Sequence, residues 1–231
     1  MKTIGVLGGL GPQATMDFEA RLHAVAQRLI PQQGNTGYPR LIVYYHRRFP
    51  FKMQDGSTPV LPLQPDLDLL QAAQWLGAHV DFLVITANSL HILQAQIEQA
   101  SGRKVLSMIE ATLAEVQRRG WRKIGVLGFG DPSVPVYTQP MSELSLVFEL
   151  ITPELQGPLS SAVLKLWEGH ANAEDTQAVR EAVAHLRARQ VDGIILGCTE
   201  LPLLLPAYAD EPDLVNPAQL LAEAAVRFAL V

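Results

Sequence analysis

Cys198 is the only cysteine of the chain, and its thiol is the first candidate for chemistry because its position can favour the thiolate. It lies in GCTELP (Gly197 to Pro202), a stretch that predicts the end of a buried strand, a turn and the start of a helix. Unpaired N–H groups at a helix start favour a thiolate. Glu200 either accepts the thiol proton or raises the thiol pKa by charge repulsion. A buried thiol that only packs is the alternative interpretation.

A second stretch of the same kind lies in the first half of the chain. DFLVITANSLH (Asp81 to His91) aligns without a gap with DGIILGCTELP (Asp192 to Pro202), and Ala87 falls opposite Cys198. A methyl group cannot exchange a proton, so the two copies cannot do the same chemistry.

The residues that follow these two strands are candidate capping and binding groups. Asn88 or Ser89 in the first copy and Thr199 in the second are good N-cap residues, and capping and ligand binding use the same geometry. His91 is either a proton donor at the helix start or a capping and packing residue. The other histidines show no metal-ligand spacing, so we expect no metal.

The elements that must position these residues repeat along the chain. TIGVLGGLGP (Thr3 to Pro12) matches KIGVLGFGDP (Lys123 to Pro132), which indicates two half-chains that each begin with a buried strand and a glycine turn. Short apolar strands alternate with helical patterns, which is typical of parallel sheets covered on both faces. The sequence therefore predicts an α/β fold of two pseudo-symmetric lobes, residues 1–104 plus 215–231 and residues 105–214.

Specific element predictions follow from the apolar periodicity. Helices are expected over residues 14–29, 67–76, 109–119, 176–189 and 217–229, and strands over residues 81–86 and 193–196. Phe18, Leu22 and Val25 form the apolar stripe of the first helix. The segment Gly130 to Ser160 is rich in proline and turn residues, so we expect it to be partly irregular and a candidate cover.

The predicted site lies where the strands end, because ligands of open parallel sheets bind beyond the carboxyl ends of the strands. Glycine turns at GGLGPQAT (Gly8 to Thr15) and GFGDPS (Gly128 to Ser133) would let the backbone approach a ligand closely. GGLGPQAT lacks the lysine of a P-loop and the G-x-G-x-x-G order of a dinucleotide site. No nucleotide cofactor is therefore expected.

Composition and net charge limit the kinds of molecule that the chain is expected to bind and the compartment in which it is expected to act. The chain has 231 residues and a net charge of −5 with no basic run, so nucleic acid is not an expected partner. No apolar run approaches the ~20 residues of a membrane helix. One cysteine excludes an internal disulfide, and we expect a cytoplasmic protein.

These motifs resemble the aspartate/glutamate racemase superfamily, which includes hydantoin racemases, arylmalonate decarboxylases and maleate isomerases. GGLGPQAT resembles the family's opening turn, GCTELP its second cysteine motif, and ANSLH its first cysteine motif with alanine for cysteine. The resemblance covers nearly the whole chain. It implies two pseudo-symmetric lobes with the active site between them, no cofactor, and two thiols on opposite faces of the substrate α-carbon.

The resemblance also assigns binding roles to residues of this chain. It implies that Asn88, Ser89 and Thr199 hold the substrate carboxylate and that Gly9, Leu10 and Gly11 line the cleft. Lys165 matches a family lysine at a different spacing from Gly169. The family's P-D-R after the second strand is replaced by PFK, which puts Lys52 there beside the basic pair Arg47 and Arg48. This loop either suits an acidic side chain or is only a solvated basic surface.

Other departures concern the chemistry. Ala87 excludes a two-thiol racemase, so Thr86, Ser89 or His91 serves the second face, or the reaction needs one thiol only, or the alanine is a designed substitution. Gly128 and Asp131 replace the family's threonines, and Asp131 would repel a carboxylate.

The sequence therefore predicts a cofactor-independent amino-acid racemase or epimerase homologue with Cys198 as the only thiol and with Glu200 and His91 as further catalytic candidates. A one-thiol, enolate-forming decarboxylase or isomerase is the first alternative, and an inactive protein that binds small acids is the second. The expected partner is a small carboxylate or amino acid, and a homodimer is one possible assembly.

Overall fold

The computed structural model describes residues 1–56, 58–130, 136–206 and 211–231 of the chain. Its internal contacts divide the chain into two units. Unit 1 comprises Met1–Met108 with Ala218–Val231, and unit 2 comprises Ile109–Pro217.

Unit 1 alternates strands and helices. Its elements are β1 (Ile4–Gly8), α1 (Pro12–Leu29), β2 (Leu41–Tyr45), α2 (Leu67–Gly77), β3 (Phe82–Ile85), a 3-10 turn (Ser89–Leu93), α3 (Gln94–Ser101), β4 (Val105–Leu106) and, at the end of the chain, a long helix (Pro217–Leu230). In the described part of the chain the strands form one parallel sheet in the order β2-β1-β3-β4.

The core of unit 1 forms because β1 and β3 are apolar on both faces. Every residue of Phe82–Ile85 is buried, as the continuous apolar run predicts. The predicted stripe of α1 is confirmed, since Phe18, Leu22 and Val25 are all buried in one cluster with Ile4 and other residues of the sheet. Pro12 starts α1, where its missing N–H costs nothing.

Unit 2 has the same plan. Its elements are α4 (Met108–Arg118), β5 (Lys123–Leu127), α5 (Thr138–Glu143), β6 (Val147–Leu150), α6 (Pro153–Trp167), α7 (Ala173–Ala188), β7 (Gly193–Leu196), α8 (Leu201–Leu204) and β8 (Leu214–Val215), and the terminal helix of unit 1 is α9. The described strands form a parallel sheet in the order β6-β5-β7-β8, which is the order of the first sheet. The predicted α/β fold of two pseudo-symmetric lobes is confirmed.

The predicted boundaries differ from the observed ones by a few residues, for a physical reason. β4 pairs with β3, so Val105 and Leu106 belong to the first sheet and not to residues 105–214. β8 pairs with β7, so Val215 belongs to the second sheet. Both strands are only two residues long, and so short a run leaves no periodic signal.

The described part of the segment from Gly130 to Ser160 is partly irregular, as expected, but regular elements form most of it. α5, β6 and the first half of α6 lie there, and β6 pairs in parallel with β5. Pro153 starts α6, so this proline marks a helix start and not a loop. Residues 131–135, with Asp131, lie outside the described residues.

Candidate active site

Cys198 lies just beyond the carboxyl end of β7, in the turn before α8. β7 (Gly193–Leu196) is wholly buried, and this fixes the position of the turn. The side chain is buried at 7% exposure, and the Sγ thiol donates a hydrogen bond to Glu200 Oε2 at 3.1 Å. The thiol is therefore directly coupled to a carboxylate.

Glu200 is a buried carboxylate that accepts hydrogen bonds from several donors. Besides the thiol, it accepts from the Thr199 hydroxyl at 3.1 Å and from the Trp167 indole N–H at 2.7 Å. Burying a carboxylate is costly unless hydrogen bonds replace its hydration. These donors supply that replacement and hold one carboxylate oxygen against the sulfur.

The surroundings of Cys198 favour the protonated thiol. Burial raises the pKa of the Cys198 thiol well above its usual value, and the negative charge of Glu200 raises the pKa further. The backbone N–H of Glu200 does lower this pKa, as its place at the turn predicts, but burial and the Glu200 charge outweigh it, which is the alternative that the sequence left open. α8 has only four residues and begins after Glu200, so its few N–H groups cannot offset burial and the carboxylate. The thiol is set to give a proton, and it becomes a base only when Glu200 takes that proton.

The corresponding turn of unit 1 carries no acid–base group at the matching position. Ala87 follows β3 and packs, partly buried, against the cluster that contains Ile85 and Leu90. Ala87 and Cys198 lie in different units, and that they face each other stays a prediction.

His91 uses both ring nitrogens within unit 1. Nε2 accepts the Met108 backbone N–H at 3.0 Å, so Nδ1 carries the ring proton and donates to the Ala87 carbonyl at 3.0 Å. Burial lowers the pKa of His91 from 6.5 to about 4. The ring is therefore neutral near pH 7 and joins the turn after β3 to the start of α4. This geometry favours the packing interpretation over a proton donor.

The glycine turn after β1 is built around a hydroxyl pair. Gly9 has φ +86°, and a Cβ there would lie 2.6 Å from the Tyr45 Cα. The Gly9 N–H donates to Thr15 Oγ1 at 2.9 Å, and Thr15 Oγ1 lies 2.9 Å from Thr86 Oγ1. Thr86, a candidate for the second face, thus helps to hold the turn.

The rest of this turn leads into α1. Leu10 is half-buried and packs against the core cluster of α2 and β3. Gly11 has extended backbone and stands at the N-cap position of α1. The backbone of Gly9, Leu10 and Gly11 thus lies at the carboxyl edge of the unit 1 sheet, where the sequence places the cleft lining.

The capping predictions for the two turns are wrong. Asn88 already has helical φ and ψ and makes no side-chain cap hydrogen bond to the 3-10 turn, because a capping side chain requires extended backbone. Ser89 is the first residue of that turn and is exposed. The residue before α8 is Glu200 and not Thr199, whose hydroxyl donates to the carboxylate instead.

The basic loop after β2 is partly committed to other contacts. Arg48 forms an ion pair with Asp68, and the guanidinium of Arg47 lies 4.8 Å from the Tyr45 ring centroid. Lys52 is exposed. Arg47 and Arg48 are exposed as well.

Lys165 forms an ion pair in unit 2. Its Nζ lies 2.8 Å from Asp175 Oδ1, and Asp175 also accepts the Asn172 backbone N–H in the capping box of α7. This contact joins α6 to the start of α7, and its role in binding a substrate stays a prediction.

Sequence analysis missed residues whose elements are far apart in the chain. Trp167 lies at the end of α6, 33 residues before its partner Glu200. His46 follows β2 and is buried at 3% exposure, which lowers the pKa of the imidazole. Its Nε2 makes no hydrogen bond within the described part of the chain. A histidine directly after the apolar strand LIVYY was the available signal for His46, whereas no local pattern pointed to Trp167.

Residues 1–56, 58–130, 136–206 and 211–231 contain neither a clustered metal site nor a membrane-spanning helix. No group of three or more histidine, cysteine, aspartate or glutamate side chains there is arranged to hold a metal ion. None of the helices formed by these residues has the length and apolar character needed to cross a membrane.

Comparisons with known proteins agree with the fold. The family model described as Asp/Glu/Hydantoin racemase matches residues 7–225. The broad specificity amino-acid racemase RacX of Bacillus subtilis is 24% identical over 242 residues, with 96% of each chain covered. An aspartate racemase homologue from Pyrococcus horikoshii superposes with a TM-score of 0.78 at 21% identity over 100% of both chains. The Picrophilus torridus aspartate racemase gives 0.78 at 17% identity over 99% of this chain and 94% of that one.

Proposed function

Because the chain belongs to the Asp/Glu/hydantoin racemase family, we propose that it is a cofactor-independent amino-acid racemase or epimerase whose proton transfer runs through Cys198. One observation carries this proposal. The single thiol of the chain lies at the carboxyl edge of a parallel sheet and hydrogen-bonds to a buried carboxylate. Such a pair can move one proton without a cofactor.

The contacts define how the proton moves. Glu200 takes the Cys198 proton through the 3.1 Å hydrogen bond, and the thiolate so formed removes the α-proton of the substrate. The substrate is left as a planar carbanion, the sulfur is again a thiol, and the extra proton rests on the carboxyl group. In the opposite direction the thiol gives its proton to the carbanion, and Glu200 returns a proton to the sulfur.

Binding of the substrate carboxylate is assigned to the polar turns that the resemblance indicates. Asn88, Ser89 and Thr199 are the side chains proposed for it, with the backbone of Gly9 to Gly11 beside it. Support comes from their place at the carboxyl edges of the two sheets, where ligands of parallel sheets bind. Lys52 remains a candidate for a charged part of the substrate.

The proposal differs from a two-thiol racemase in the group that serves the second face of the substrate α-carbon. Ala87 offers no proton, and both His91 nitrogens bind backbone groups. A protonated resting thiol favours the delivery of a proton to a carbanion, which is also what a one-thiol decarboxylase or isomerase requires. We therefore keep that reaction class as the second candidate.

The test is exchange of the substrate α-proton in heavy water, followed by proton NMR for each enantiomer separately. We expect deuterium to enter one enantiomer faster than the other and faster than racemisation, because one thiol serves one side of the α-carbon. Equal and rapid exchange of both enantiomers would show a second base. Binding of amino acids without any exchange would contradict the proposal and leave the small-acid binding protein.

A further inference from the structure

An aromatic residue, Phe129, follows the strand that neighbours β7. β5 and β7 run parallel with Leu127 paired to Leu196. Phe129 lies two residues beyond Leu127 and Cys198 two residues beyond Leu196, so both follow the carboxyl ends of paired strands. Neighbouring strands are about 4.8 Å apart. The Phe129 side chain therefore emerges next to the turn that carries the thiol.

A second aromatic ring joins Phe129 to the carboxylate. The rings of Phe129 and Trp167 meet edge to face with centroids 4.9 Å apart. Trp167 is held in turn by its indole N–H, which donates to Glu200 Oε1 at 2.7 Å. The two rings thus form one apolar surface that borders the Cys198–Glu200 pair. We call Phe129 and Trp167 the aromatic wall.

The aromatic wall is not covered by the described part of the chain. Phe129 keeps 38% of its surface exposed, although burial of a phenyl ring is favourable. A Cβ added to Gly128 or to Gly130, its two chain neighbours, would meet no atom within 4 Å. Phe129 therefore presents part of its ring to solvent at this edge of the described residues, and apolar surface with a few placed polar groups is typical of ligand sites.

The charges at the site disfavour an acidic side chain. The hydrogen-bond donors to Glu200 in the described residues are a thiol, a hydroxyl and an indole, and all of them are neutral. The nearby cation of α6, Lys165, is paired with Asp175. The proposed place of the α-carboxylate at Thr199 already adds one negative charge near Glu200, so a further carboxylate on the substrate side chain would add repulsion that these neutral donors do not offset.

We infer that the substrate is an α-amino acid whose side chain is aromatic or large and apolar, and that this side chain packs on Phe129 and Trp167 while the α-carbon lies at Cys198. This inference rests on the proposed function and adds the substrate class. It also assigns Phe129 as a specificity-determining residue.

The first experiment measures kcat/KM for α-deuterium exchange with phenylalanine, leucine, alanine and aspartate, in both enantiomers. Phenylalanine and leucine should exceed alanine and aspartate. Phe129→Ala should raise KM for phenylalanine about tenfold, since a lost apolar contact is worth roughly that factor, and should leave alanine within about twofold. Leu144→Ala is the matched control, because Leu144 has 39% exposure and lies in unit 2 at the end of α5, just before the amino end of β6.

The second experiment needs no turnover. Cys198 is the only thiol, so its alkylation by iodoacetamide reports on occupancy of this site alone. Phenylalanine should slow alkylation at lower concentrations than aspartate, and Phe129→Ala should remove that difference. Protection by phenylalanine without exchange would refute the proposed function and keep the inferred ligand class. Better protection by aspartate, no protection by any amino acid, or unchanged protection in Phe129→Ala would overturn the inference.

Discussion

Replacing Glu200 by glutamine should make Cys198 more reactive and the protein less active. The substitution keeps the shape of the side chain but removes the negative charge 3.1 Å from Sγ. Trp167 can still donate to the amide oxygen, which leaves the amide NH₂ facing the sulfur. The protonated thiol would then lose the carboxylate oxygen that accepts its hydrogen bond, and the thiolate would gain the amide NH₂ as a hydrogen-bond donor. We expect faster alkylation of Cys198 by iodoacetamide at neutral pH.

The geometry bounds the size of this effect. At 3.1 Å two unit charges interact with roughly 5 kcal/mol at an effective dielectric constant of 20, which is an upper limit because the site relaxes. A hydrogen bond to a charged group contributes about 1.5–3 kcal/mol, which gives a lower limit. Since 1.4 kcal/mol corresponds to about tenfold in an equilibrium constant, the alkylation rate should rise at least about tenfold.

Turnover should move in the opposite direction. Glu200 is the group that the described residues place to take the thiol proton, and loss of such a group costs about 10²–10⁴-fold. Glu181→Gln, exposed on α7, is the control that removes one charge elsewhere in unit 2. Unchanged or slower alkylation in Glu200→Gln would refute the coupling of the two side chains.

Further predictions concern unit 1. Gly9→Ala should lower the free energy of unfolding in urea by about 2–4 kcal/mol, because φ is +86° and the new Cβ would meet backbone atoms. Gly34→Ala is the control: its φ is +63° and the new Cβ would meet no atom within 4 Å, so it should cost about 1 kcal/mol. Equal losses in the two variants would contradict the packing argument. Burial lowers the pKa of His91 from 6.5 to about 4 in the folded chain. Its neutral ring therefore contributes up to about 3 kcal/mol to the free energy of unfolding at neutral pH, and this contribution is lost as the pH falls from about 7 to 4. His91→Gln should reduce the slope of the free energy of unfolding against pH between about pH 7 and 4, whereas substitution of the exposed His170 by glutamine should leave that slope unchanged. An unchanged slope in His91→Gln would show that burial of His91 does not cause this pH dependence. Ala87→Cys should add α-deuterium exchange on the slower enantiomer, and no gain would contradict the predicted alignment of the two copies.

Most of the fold was predictable because its signals are local. β3 and β7 are continuous apolar runs between a helix and a turn, and the repeated IGVLG strands mark the start of each sheet. The boundaries were less accurate, because β4 and β8 are recognisable only from their pairing with β3 and β7.

The candidate site was predictable in part. The place of Cys198 after a strand follows from the pattern of the chain, but its protonation does not, because that depends on burial and on the orientation of Glu200. Trp167 reaches Glu200 only through the packing of α6 against the sheet, and no spacing in the sequence encodes that contact. His91 was ambiguous for the same reason, since both acceptor and donor are backbone groups brought to it by the fold.

The central claim is that Cys198 carries the transferred proton. Cys198→Ser tests it most directly, because serine keeps a hydrogen-bond donor to Glu200 but is a far weaker acid than a thiol. With folding checked by an unchanged urea unfolding midpoint, α-deuterium exchange of the best substrate should fall at least about 100-fold. A Cys198→Ser protein that exchanges the α-proton at the rate of the unmodified chain would contradict the account.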